Sequence, residues 1–188
     1  MIELQYPATE SGNEYFPLID EQGHVVGQAT RRYCHGGSMA LHPVVHLHVF
    51  DKDGRLYLQK RSMKKDIAPG LWDTSVGGHV DMGESLLDAV LREAREEVGV
   101  VLVRSEELGV RSTPLRFLFQ YIWQSSRERE LVTAFAVTYD GELYPDHDEV
   151  DEGRFWTIEE LKALQGKGMF TQQFEEQELA HLLAAKTF

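Results

Sequence analysis

Three glutamates, Glu93, Glu96 and Glu97, stand beside Arg92 in a stretch that opens on Gly78 and Glu84 and closes on Gly99 and Val100. On a helix these carboxylates share one side, with Arg92 at their edge and Leu87, Val90, Leu91, Ala94 and Val98 opposite. For stability alone this is a poor arrangement. Glu93 and Glu97 are like charges at i,i+4, which costs about 0.2–0.5 kcal/mol, and all three lie toward the helix end where the dipole favours cations. One arginine does not balance them. A cluster of hard oxygen donors suits Mg²⁺ or Mn²⁺. Such ions bridge diphosphate oxygens, neutralise developing charge and lower the pKa of an attacking water. The bland alternative is a solvated acidic helix face.

Other residue types hint at an anionic ligand. Arg31, Arg32, Lys60, Arg61, Lys64 and Lys65 are the one basic concentration in an acidic chain. Arg31, Lys60, Arg61 and Lys65 are the candidates for gripping phosphate, although basic loop residues are also ordinary solvated charge. His42, His46 and His48 alternate along an apolar run, so one strand face presents three imidazoles; these are either a metal surface or simply half-exposed strand positions. Cys34 is either a reactive thiol or a lone buried cysteine. Trp72, Trp123 and Trp156 are candidates for stacking on a base, with Trp156, next to Phe155, better suited to the core.

The elements that must carry these groups can be read in outline. Phe16–Asp20 and His24–Gly27 flank the glycine turn Glu21-Gln22-Gly23, and Val44–Phe50 and Arg55–Gln59 flank Asp51-Lys52-Asp53-Gly54, so each pair reads as a hairpin. Ser85 begins a helix as a cap and Gly99 stops it. Strands are expected over Pro114–Gln124 and Leu131–Tyr139, an acidic loop over Asp146–Glu152, and helices over Ile158–Leu164 and Phe170–Lys186. That order implies an α/β (α+β) fold with a mixed sheet and helices on its faces. The 188 residues suit a single domain, 1–188, with an N-terminal extension carrying a hairpin over about 1–40 and C-terminal helices over 158–188. Hydrophobic residues at 42% and charged residues at 27% are globular composition. With 31 acidic against 19 basic residues the net charge is −12, which argues against nucleic acid or a membrane surface as partner. One cysteine excludes an intramolecular disulfide and a cysteine-only zinc knuckle. No apolar run approaches the ~20 residues of a membrane span, and the opening residues lack a signal-peptide pattern. A cytoplasmic single-domain protein is the expectation; a homodimer is compatible with it.

The run from Gly78 to Val100 resembles the Nudix box, Gly-x5-Glu-x7-Arg-Glu-U-x-Glu-Glu-x-Gly-U with U apolar, and every fixed position matches, Ala94 and Val100 filling the U positions. The resemblance implies an α/β/α sandwich whose box forms a loop–helix–loop, and hydrolysis of a nucleoside diphosphate linked to another moiety. It implies that Glu93, Glu96 and Glu97 hold Mg²⁺ or Mn²⁺, that Arg92 orients them, and that Gly77 or Gly78 lets the loop backbone approach the metal. It also points to a carboxylate from the acidic loop, Glu149 or Glu152, as a further ligand or general base.

From Phe16 to Trp156 the chain is most similar to the isopentenyl-diphosphate isomerase branch of that superfamily, through Arg31-Arg32-Tyr33-Cys34-His35, Leu41-His42, the stretch Leu56 to Arg61, Pro69-Gly70-Leu71-Trp72 and Gly78-His79. This implies a second metal held by His35, His42, His79, Glu128 and Glu130. The departure is at Gly77, where those isomerases carry their catalytic cysteine; glycine can neither protonate nor deprotonate an allyl unit. Gly168-Met169-Phe170 also lacks the tryptophan expected near an isomerase site. A diphosphate hydrolase is therefore the favoured reading, with an isomerase or a non-catalytic nucleotide-binding module as alternatives.

Overall fold

The computed structural model describes residues 2–3, 14–65, 67–102 and 115–185. Strands β1 (Ile2–Glu3), β2 (Tyr15–Ile19) and β3 (Val25–Thr30) make a small sheet in the order β1-β3-β2. The β2–β3 hairpin turns at Gly23, whose φ of +83° is a left-handed value that glycine adopts without a Cβ penalty. A single helical turn, α1 (Arg31–Cys34), leads into β4 (Leu41–Phe50). Strands β5 (Leu56–Arg61), β6 (Trp72–Asp73) and β7 (Val76–His79) precede the long helix α2 (Leu86–Val98). Strands β8 (Arg116–Gln124), β9 (Arg129–Thr138) and β10 (Val150–Trp156) follow, then α3 (Ile158–Leu164), a π-helical turn over Phe174–Glu178, and α4 (Leu179–Ala184).

The main sheet runs β10-β5-β4-β9-β8, with β6 on β5 and β7 on β4. It is mixed: β4 and β9 are parallel, and its other neighbours are antiparallel. Every residue of β4 is buried, so both its faces are covered. Val45, Leu47 and Val49 pack against Ala89, Val90, Ala94 and Val98 of α2. Phe50, with Leu56, Leu58, Trp72 and Trp156, packs on the other face against Leu161, Phe174, Leu179 and Leu182 of the C-terminal helices. The architecture is thus the expected α/β/α sandwich. None of the described helices is long and apolar enough to cross a membrane.

Helix α2 obeys its local signals. The Ser85 side chain accepts the Asp88 backbone N–H, and Gly99 ends the helix at a φ of +69°. Other boundaries differ from the sequence reading. The expected start of a strand at Pro114 and the end of a helix at Lys186 lie outside the described residues. Phe170 does not begin a helix: it pairs with Trp72 as an isolated bridge. The end of the acidic loop is strand: Val150–Trp156 pairs antiparallel with β5, as an edge strand whose Asp151 and Glu152 face solvent.

Strand pairing makes room for a site. β4 and β5 share only the pair Phe50–Leu56. Beyond it, β7 continues along β4 while β6 continues along β5. The sheet is split there, and groups from both of its faces reach the gap.

Candidate active site

A cleft of about 720 Å³ opens at this split. It is lined by Glu93, Glu96 and Glu97 of α2, by His35, His46, His79 and Glu130, and by Arg31, Arg61, Lys65 and Glu149.

On the α2 side, Arg92 ties the carboxylates together. Its Nε and Nη2 donate to the two oxygens of Glu84 at 3.0 and 2.9 Å, Nη1 donates to Glu93 at 2.6 Å and Glu96 at 3.3 Å, and Nη2 also donates to the His79 carbonyl at 2.9 Å. Hydrogen bonds from Arg92 and the pull of its charge keep the Glu84 carboxyl below its usual pKa against the effect of burial. Glu97 reaches through the split, where Oε2 accepts from the Gly77 backbone N–H at 3.2 Å and from Gln59 Nε2 at 3.1 Å. Burial first, and then Glu93, pushes the Glu97 carboxyl up to about 8. So large a shift marks negative charge that the chain itself leaves uncompensated. Gly78 must lack a side chain, since a Cβ there would overlap the Glu93 carboxyl. Gly78→Ala is expected to displace Glu93 and lower kcat/KM about 10²-fold or more, measured beside a circular-dichroism spectrum that shows the fold retained.

On the opposite face, strand alternation and register build a second group. His42 pairs with Glu130 in the parallel β4–β9 ladder, and Val44 pairs with His79 across β7. One ligand atom from each of His35, His42, His79 and Glu130 falls within 4.8 Å of the others. Glu128 joins them by accepting from His35 Nδ1 at 2.8 Å. His42 Nδ1 donates to the Ala40 carbonyl at 3.0 Å, which leaves the lone pair on Nε2, and that buried atom has no hydrogen-bond partner. Burial lowers the His42 pKa to about 4, keeping the ring neutral, and burial followed by the Glu128 charge raises Glu130 to about 7. A neutral imidazole with an orphaned inward lone pair, beside converging imidazoles and a carboxylate, fits a divalent cation. Phe16 of the N-terminal hairpin closes this group, stacked on His79 at 4.3 Å and on His42 at 5.7 Å between ring centroids.

The remaining candidates divide. Arg31 lies 3.4 Å from His79 Nδ1 and 3.3 Å from Glu14, Arg61 pairs with Asp73 at 3.1 Å, and Lys65 pairs with Glu149 at 2.7 Å. Lys60 does not line the cleft, because strand alternation sends it to the face opposite its neighbours Gln59 and Arg61. Glu152 is also outside it. Cys34 is buried beside Phe16 and Ala29, and burial raises its thiol to about 11, so it is no reactive nucleophile. Trp72 and Trp156 are core, whereas Trp123 borders the cleft.

His46 and His48 are not half-exposed strand positions. Both are buried against Glu178, which the sequence reading passed over. Gln59, Tyr121 and Phe16 were missed as well. Phe16 lay within a recognised hairpin, but its partners are remote in sequence, and the others carried no local signal.

The carboxylates of α2 and the histidine–glutamate group thus meet at one cleft in a mixed sheet sandwiched between helices. A family model for the NUDIX domain matches residues 40–174, and the chain belongs to that family. It is 32% identical over 145 residues, 77% of either chain, to an isopentenyl-diphosphate Delta-isomerase of Mycolicibacterium vanbaalenii. It is 30% identical over 177 residues to the uncharacterized Nudix hydrolase lmo0368 of Listeria monocytogenes, covering 93% of this chain and 98% of that one. The crystal structure of DR0079 from Deinococcus radiodurans superposes with a TM-score of 0.71 at 25% identity, over 87% of this chain and 96% of that one.

Proposed function

We propose that the protein is a divalent-metal-dependent, cytoplasmic hydrolase that cleaves the diphosphate linkage of a nucleoside diphosphate derivative or a related organic diphosphate. The observation that carries this reading is the trio Glu93, Glu96 and Glu97, with two members held by Arg92 and the third by Gly77 and Gln59, all facing one cleft. The trio would hold Mg²⁺ or Mn²⁺, and His35, His42, His79, Glu128 and Glu130 would hold a second ion. Bound cations supply charge neutralisation at the diphosphate and a more acidic water. The chain's own residues do the rest. Arg31, Arg61 and Lys65, which line the cleft, would bind phosphate oxygens, and Glu149, paired with Lys65, would take a proton from the attacking water. Gly77 keeps the loop backbone close to Glu97.

The names of the relatives point to both hydrolase and isomerase. Against the isomerase stands the absence of any thiol facing the cleft among the described residues: position 77 has no side chain, and Cys34 is buried elsewhere. In its favour stands the histidine–glutamate group, the metal set that the isomerase likeness implies. A screen for monophosphate products by ion-exchange chromatography, over nucleoside diphosphate derivatives, sugar nucleotides, dinucleoside polyphosphates and prenyl diphosphates, with and without Mg²⁺, separates them. The hydrolase reading expects Mg²⁺-dependent formation of monophosphate products from at least one class. Conversion of isopentenyl to dimethylallyl diphosphate without hydrolysis would establish the isomerase, and tight nucleotide binding without turnover a binding module.

A further inference from the structure

One polar cluster has no part in the mechanism above. His46 and His48 project from the same face of β4, and Glu178 of the π-helical turn meets both. Glu178 Oε1 accepts from His46 Nδ1 and from the Tyr121 hydroxyl, the latter at 2.9 Å, while Oε2 lies 3.5 Å from His48 Nε2. Glu178 and His48 are both 0% exposed, whereas the His46 side chain is 10% exposed and borders the cleft.

A carboxylate this deep costs several kcal/mol unless a cation matches it. Among the described residues no lysine or arginine pairs with Glu178, so the matching charge falls on an imidazole. Burial holds His48 neutral, at about 4. For His46 burial opposes the charge, but the adjoining Glu178 overcomes it and lifts the ring above its usual value. An imidazolium whose Nδ1–H is committed to Glu178 has one donor left, Nε2–H. That atom faces the place where residue 77 has no side chain: a Cβ on Gly77 would lie 3.2 Å from it. A structural tie between β4 and the C-terminal helices could be apolar at lower cost. This one instead sets a cationic donor in a cleft rich in carboxylates, and it does so from a π-helical turn, a geometry frequent at functional sites.

On the diphosphate-hydrolase reading, we propose that His46 is a substrate-positioning residue whose Nε2–H hydrogen-bonds a non-bridging phosphate oxygen of the bound diphosphate, with Glu178 and Tyr121 fixing its ring. The contact makes and breaks no covalent bond. It orients the anion between the two carboxylate-rich walls and adds a cation to those of Arg31, Arg61 and Lys65.

The probe is imidodiphosphate, a diphosphate that resists hydrolysis, titrated with Mg²⁺ into ¹⁵N-labelled protein and followed by long-range ¹H–¹⁵N spectra of the histidine rings. The His46 Nε2 resonance, assigned from its loss in His46→Gln, should shift saturably with the probe. His46→Gln should weaken probe binding about 10-fold, as for loss of one charge-assisted hydrogen bond. Glu178→Gln retains the shape and can still accept from Tyr121, so it should weaken binding with an unfolding midpoint held or raised, which a merely structural role would not produce. Wild-type binding with an unmoved Nε2 resonance, or equal affinity in His46→Gln, overturns the proposal. If His46→Gln does not fold, the wild-type spectrum with Glu178→Gln decides. Wild-type protein that neither binds imidodiphosphate nor hydrolyses any diphosphate overturns the hydrolase reading first and this role with it, so the two failures are distinct.

Discussion

Glu97→Gln is expected to cut kcat/KM about 10²–10⁴-fold while making the metal-free protein more stable at pH 7.5. The two effects have one cause. Glu97 has a folded-state pKa of about 8 against an ordinary 4.5, because burial and Glu93 both disfavour its charge. Between those values the folded chain binds more protons than the unfolded chain, so metal-free stability is greatest at the acid end and falls as the pH climbs toward 8. Glutamine is uncharged throughout. It can still accept the Gly77 and Gln59 hydrogen bonds, and it removes the penalty, on the order of 1–3 kcal/mol at pH 7.5. Thermal unfolding in chelator should show a midpoint higher by several degrees in the variant, with the gap closing near pH 5. Adding Mg²⁺ should stabilise the wild type more than the variant, which keeps only the histidine–glutamate group intact. A variant with full activity would remove Glu97 from the reaction.

His42→Gln should remove the ion of the histidine–glutamate group, lowering its affinity at least 10²-fold and leaving the α2 glutamates able to bind theirs. Metal analysis after equilibrium dialysis against Mn²⁺ or Zn²⁺ should count one ion fewer per chain than in the wild type. His42 is suited to this test because its Nε2 lone pair has no other partner; the substitution also disturbs the Ala40 hydrogen bond and the Phe16 stack, so a circular-dichroism spectrum showing the fold retained accompanies the ion count. The wild-type affinity should also rise with pH through about 7, as Glu130 sheds the proton that burial helps it keep. An unchanged ion count in His42→Gln would make these imidazoles a polar core and leave one metal site in the cleft.

What was legible in the sequence was what local periodicity and spacing encode. The start, end and acidic face of α2 follow from Ser85, Gly99 and the i,i+3,i+4 spacing of its residues. The resemblance also supplied the group of histidines, but the reason they meet is a parallel register between β4 and β9, two strands far apart in the chain. Long-range pairing leaves no mark on either segment alone. Glu178 shows the same limit from the other side. Within its own segment it reads as one more acid on a helix, and only the packing of that helix against β4 turns it inward onto His46. β10 was hidden because an edge strand need bury only part of itself, so Asp151, Glu152 and Gly153 interrupt the apolar pattern. β6 and β7 are too short to show a period: two and four residues, with two glycines in the latter.

The ring of Phe16 lies flat on His79, and His35 follows the short turn that the same hairpin leads into. Both precede residue 40, where the match to the family begins. On the proposed reading, a fragment trimmed to the shared domain would therefore keep the acidic helix and forfeit part of the second ion's cage, along with the apolar ring stacked on it. On that reading, substitutions at Phe16 or His35 would change the affinity for that ion and leave the acidic helix untouched.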